Sequence, residues 1–270
     1  MQVLQCKFVF KRAILPILFI FFLSCADLER DNLLDPRNPD SYSATVPLIE
    51  AFVNLAHPSP YNAWAIQSLN ALDAQFGRQI NIVEYHRDLQ IDSITYDDPY
   101  NDSDQQAFFL QLQTRYVQLW PDLPRVLPDV YLNGAASRFS GAYNANSLKS
   151  AMESAISELI AQKNDYILEI ESKRESGLVT VNCLVARLGN EADQNLRLRV
   201  LFVKKATFQT LTLNYVVKMS WPSILIDKIK AGQYQTIEAG QIAESRADGV
   251  VCALVLENEQ QVLQSAYVEF

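Results

Sequence analysis

The sequence predicts an α/β domain of order β-α-β-α-β-β-α over residues 46–163, followed by an antiparallel β-sandwich over residues 164–270. Three observations predict it. Short apolar runs of strand length alternate with segments whose apolar residues recur at helical spacing up to Gln162. From Asp165 onward the apolar period changes to two. The later apolar runs are short and closely spaced, which is the pattern of stacked antiparallel sheets rather than of helices.

The first strand is placed at Val46–Val53, an apolar run ending at a turn punctuated by Pro58 and Pro60. A helix follows over about Ser59–Phe76, with Tyr61, Trp64, Ala65, Leu69, Leu72 and Phe76 at helical spacing, and Gly77 closes it. Gln79–His86 reads as a second strand and Arg87–Asp102 as a long, polar, solvated loop. A second helix spans about Ser103–Trp120, with Phe109, Leu112, Tyr116 and Leu119 on one face, before Pro121, Pro124 and Pro128 interrupt the chain. Asp129–Leu132 and Ala136–Ser140 flank Asn133-Gly134, a hairpin signal. Asn146–Gln162 completes the alternation with Leu148, Met152, Ile156 and Leu159 inward, so helices cover both sides of a mixed sheet. Beyond it, strands are expected at Tyr166–Ser172, Leu178–Ala186, Leu196–Val203, Thr207–Met219, Gln233–Glu238, Val250–Glu257 and Val262–Phe270, with Ser223–Ala231 a brief helix or loop.

Residues 1–24 are a targeting segment: Lys7, Lys11 and Arg12 precede the short apolar run Ala13–Leu23. A membrane-spanning helix would want ~20 apolar residues, more than this run supplies. Phe22-Leu23-Ser24-Cys25 resembles a bacterial lipobox, with Phe22 standing where leucine is usual. The resemblance implies cleavage before Cys25 and lipid on its thiol; a plain signal peptide is the alternative. Residues 25–45 are polar and rich in charge, and read as a flexible tether. The expected address is therefore a bacterial cell envelope, at the outer membrane, with the membrane itself a partner through Cys25. The net charge of −8 becomes more negative once the basic segment is removed, so a phosphate backbone is repelled and nucleic acid is not an expected partner.

The β-α-β-α-β-β-α order resembles a thioredoxin-like domain, and local sequence extends the likeness. Leu48-Ile49-Glu50-Ala51-Phe52 resembles the strand before the redox turn of exported thioredoxin-like families. Glu84-Tyr85-His86, followed by an acidic loop with Asp98-Pro99-Tyr100, is similar to their second strand and its insertion. Leu127-Pro128-Asp129-Val130-Tyr131-Leu132-Asn133-Gly134 resembles the segment carrying their cis-proline, which implies a cis bond at Pro128. The C-terminal half is similar to the β-domain that a family of outer-membrane lipoproteins pairs with such a domain. The family's Cys-x-x-Cys is absent. Its four positions fall on His57, Pro58, Ser59 and Pro60, and no cysteine lies between Cys25 and Cys183. Thiol–disulfide exchange needs an attacking thiolate and a second sulfur, so composition alone excludes it at this turn. The expectation is a protein that binds extended peptides or envelope proteins, with no cofactor and no catalytic residue. Membership of the family would instead suggest an oxidoreductase.

The candidate groove residues are His57, Pro58, Ser59, Pro60, Tyr61, His86 and Pro128. Both histidines of the chain fall at C-terminal strand ends, where open α/β sheets bind ligands. They could serve with Glu50 or Glu84 as metal ligands or as an acid–base pair. The plainer reading makes His57 a helix cap and His86 a hydrogen-bonded strand end, and no metal is expected. Asp88, Asp92, Asp97 and Asp98 lack the glycine a calcium loop would place at its turn. Cys183 and Cys252 both lie in apolar strands, as buried free thiols or as a structural disulfide.

Overall fold

The computed structural model describes residues 32–189 and 195–270. The targeting segment and Cys25 lie outside the described residues. The elements run β1 (Ser43–Ala44), β2 (Leu48–Val53), α1 (Tyr61–Phe76), β3 (Asn81–His86), β4 (Leu89–Ile91), β5 (Ile94–Tyr96), α2 (Gln106–Val117), β6 (Asp129–Leu132), β7 (Ser137–Ser140) and α3 (Ser147–Ile160). They continue as β8 (Lys163–Asn164), β9 (Tyr166–Glu175), β10 (Leu178–Arg187), β11 (Leu196–Phe208), β12 (Leu211–Ser220), β13 (Ile224–Ile226), β14 (Tyr234–Ala243), β15 (Gly249–Leu256) and β16 (Val262–Glu269).

The expected fold class, a thioredoxin-like α/β domain followed by a β-sandwich, does not hold. The described chain is mostly β, with 44% of residues in strands and 21% in helices, and its main feature is a curled mixed sheet built from both halves. That nine-stranded sheet runs β16-β15-β11-β12-β3-β2-β6-β7, with β13 also pairing β11. Strands β2 and β3 are parallel from Leu48↔Asn81 to Val53↔His86, and β6 is antiparallel to β2. The join is a parallel bridge, Val216↔Glu84, between β12 and β3. Hydropathy patterning is blind to this join, because backbone groups of any residue can pair at a free strand edge.

Packing follows the join. Strands β2 and β3 are buried at every position, as expected for strands covered on both faces. On one face Ile49, Ala51 and Val53 meet Ala65, Leu69 and Leu72 of α1 and Met152 and Ile156 of α3, together with Leu213 and Val216 from β12. On the other, Leu48, Phe52, Val83 and Tyr85 meet Phe109, Leu112 and Tyr116 of α2, which also packs with Leu201, Val217 and Val251. Each fully buried large side chain contributes roughly 1.5–3 kcal/mol, so the shared core ties the halves together firmly. A third core lies between β11–β15 and a separate antiparallel sheet of order β14-β10-β9.

Several local expectations are corrected. The polar loop 87–102 contains the hairpin β4–β5, turned at Asp92 with φ 53°, and Asp98 within it is buried rather than solvated. The run 207–219 is divided by a turn at Gln209, also at positive φ, so that β11 and β12 form a hairpin. Residues 223–231 contain the short strand β13. In the described part of residues 25–45, β1 pairs β8, and Ser41 Oγ donates to Leu33 O and accepts from Gly189 N at 3.0 Å. Cys183 and Cys252 are buried free thiols with Sγ atoms 3.2 Å apart, facing each other across the third core. The Leu127–Pro128 peptide, by contrast, is cis as the resemblance implied.

Candidate functional site

The C-terminal ends of β2 and β3 lie beside a cavity of about 750 Å³. Four segments wall it: the turn His57–Tyr61, the chain from Arg87 through the β4–β5 hairpin, the α2 residues Gln106 and Leu110, and the stretch Arg125–Leu127. Its position at the end of a parallel strand pair is the one where α/β sheets leave a crevice.

The turn after β2 is fixed by two side chains. Asn54 Nδ2 donates to Arg87 O and Tyr96 O, both at 2.8 Å, and its Oδ1 accepts His57 N at 2.7 Å. Asp98 Oδ2 accepts Leu55 N at 2.6 Å while Oδ1 accepts Tyr100 N at 2.8 Å. The insertion that looked like solvated loop thus clamps the turn in place.

His57 faces the cavity. Its Nδ1 lies 2.9 Å from Ser59 Oγ and accepts Ser59 N at 3.3 Å, and its ring meets Tyr96 edge-on at 4.8 Å. With Nδ1 accepting a backbone N–H, the neutral ring carries its proton on Nε2. Ser59 and Tyr61 also line the cavity, whereas Pro58 and Pro60 are exposed on the turn without lining it. Pro128 is buried behind the wall that Arg125, Val126 and Leu127 form.

His86 does not join this group. It is fully buried, with Nδ1 3.2 Å from Asp98 Oδ1 and Nε2 3.4 Å from Glu84 Oε2. Burial alone would push the imidazole pKa down, but the hydrogen bonds and charges of Asp98 and Glu84 outweigh it and hold it at about 9. Glu50 belongs to yet another cluster, bonded to Arg199 at 2.7 Å and accepting the hydroxyls of Tyr85 and Tyr116. No group of three or more histidine, cysteine, aspartate or glutamate side chains among the described residues is arranged to hold a metal ion.

Sequence reasoning missed Arg87 and Arg125. Arg87 is 5% exposed, and burial with Arg125 nearby pushes its pKa down to about 10, so it remains cationic at neutral pH. Arg125 is exposed and donates to Thr114 Oγ1. The two are far apart in sequence and neither sits in a basic run, so no local signal marks them.

No known family's sequence pattern matches the chain, and no curated protein matches it. Among solved structures the chain is similar to HBP35 of Porphyromonas gingivalis, with a TM-score of 0.61 and 10% identity, covering 84% of this chain and 76% of that one. Two beta-glucosidase structures from Kluyveromyces marxianus match at TM-scores of 0.23 and 0.24, with 8% and 7% identity, over 40% and 38% of this chain and 14% of each of those chains. The resemblance to HBP35 is one of fold alone.

Proposed function

We propose that this protein is a lipid-anchored component of a bacterial cell envelope that binds an extended segment of a peptide or partner protein, without catalysing a reaction on it. The observation that carries the reading is the open cavity walled by four chain segments and clamped by Asn54 and Asp98. Preformed concave sites with apolar walls and a few polar groups are the usual form of a binding site. Leu110, Val126, Leu127, Leu89 and Ile91 supply the apolar wall, while His57 and Gln106 supply hydrogen-bonding groups. The absence of any cysteine between Cys25 and Cys183 excludes thiol exchange at the turn, and Cys183 and Cys252 are enclosed in the third core.

The test is to pan random hexapeptides on the full chain in detergent and to map an enriched peptide by NMR. Shifts concentrated at His57, Tyr61 and Val126, abolished by Val126→Glu, would support the reading. Shifts centred elsewhere, or no enrichment over a denatured control, would remove it. The anchor is tested separately: a palmitate analogue supplied to expressing cells should label the wild type and leave Cys25→Ser unlabelled.

A further inference from the structure

The cavity has a charge character opposite to that of the chain. The protein carries −8 overall. Elsewhere four of its buried or half-buried arginines are matched by carboxylates, Arg115 by Glu259, Arg138 by Asp129, Arg187 by Asp165 and Arg199 by Glu50, while half-buried Arg197 donates to Ser223. Arg87 and Arg125, both on the cavity wall, have no ion-pair partner among the described residues.

Arg87 is held by its backbone from two sides, its N donating to Val53 O at 3.2 Å and its O accepting Asn54 Nδ2. Among the described residues its guanidinium reaches only the carbonyl of Asp88, at 3.3 Å, and its Nε is buried with no hydrogen-bond partner. A buried donor left unpaired has lost its hydration without gaining a partner in return. The nearby carboxylates are otherwise engaged. Asp129 is occupied by Gln113, Tyr131 and two nitrogens of Arg138. Asp88, which also lines the cavity, accepts Asp98 N and Asn101 Nδ2. Two guanidiniums against one carboxylate leave the wall cationic, and His57 Nε2 adds a donor.

Building on the binding reading above, we infer that the cavity selects a carboxylate carried on an otherwise apolar, extended peptide. Arg87 and Arg125 are its counter-charges, and Leu110, Val126 and Leu127 take the flanking apolar side chains. Guanidinium groups suit this role because their planar donor pairs match the two oxygens of a carboxylate.

The experiment uses the full chain in detergent and three labelled hexapeptides read by fluorescence anisotropy. The first alternates leucine and glutamate with both ends blocked, the second replaces glutamate by glutamine, and the third is the glutamine peptide with a free C-terminal carboxylate. The first or third peptide should bind at least tenfold more tightly than the second, and which of them does so distinguishes an acidic side chain from a chain end. Arg125→Gln, a change at an exposed position, should bring the preferred peptide to within about threefold of the neutral one, and Arg87→Lys should weaken it by less. Equal binding of all three, lost in Val126→Glu, would keep the groove and overturn carboxylate selection. Failure of all three to bind, or a preference that survives Arg125→Gln, would overturn the inference as well; the panning experiment then judges the groove independently.

Discussion

Asp98 and Glu50 illustrate how buried acids organise this molecule. Asp98 takes two backbone N–H groups and one imidazole nitrogen, so it joins the end of β2, the end of β3 and the insertion at one point. Glu50 takes Arg199 and two tyrosine hydroxyls, and so links β2, β3, α2 and β11. Removing one member of a buried pair leaves the other charge uncompensated, at a cost of about 3–5 kcal/mol. Glu50→Gln should therefore destabilise the protein by that order in urea denaturation, and a loss below about 1 kcal/mol would refute the assignment. His86 makes a pH prediction with a definite sign. Its pKa is raised from 6.5 to about 9 in the fold, so its stabilisation is complete below about pH 6.5 and is lost as pH rises through 9. The melting temperature should fall across that window, and His86→Gln should flatten the dependence.

At the scale of elements, local sequence placed the three helices and most strands to within a few residues, because apolar spacing reports directly which face of an element is buried. It failed at turns lacking glycine or proline. Asp92 and Gln209 take positive φ of 53° and 54°, uncommon for non-glycine residues, and each reverses the chain inside a run read as one segment. Strand β14 holds a different constraint. Gly240 has φ +129°, and a Cβ there would stand 1.7 Å from the Trp221 ring. Gly240→Ala should cost about 2–3 kcal/mol through overpacking and backbone strain, measurable as a lower urea midpoint, whereas Gly141→Ala meets no atom within 4 Å and carries only the strain of its φ.

At the scale of the molecule, the shared sheet and shared cores predict a single cooperative unfolding transition. Trp64 lies in α1 and Trp221 packs on the third core, so fluorescence of single-tryptophan variants samples the two halves separately. Their transitions should coincide with each other and with circular dichroism. Two separated midpoints would show that the halves fold independently after all. The candidate site was partly legible at this scale. His57, Ser59 and Tyr61 were found because a proline-rich turn at a strand end is a local feature. Arg87 and Arg125 were not found, because what unites them is a cavity wall and not a spacing.

The sequence by itself determined what this turn cannot do, since a stretch with no cysteine between Cys25 and Cys183 cannot exchange disulfides. It also determined which segments bury an apolar face, a property written in periods of two and 3.6 residues. Only the tertiary structure decided that β12 docks beside β3, that His86 is enclosed between two carboxylates while His57 opens to solvent, and that two unpaired arginines share a cavity. The physical reason is that strand-edge pairing and charge proximity depend on distance in space, and side-chain periodicity carries no record of which distant segment will be the neighbour.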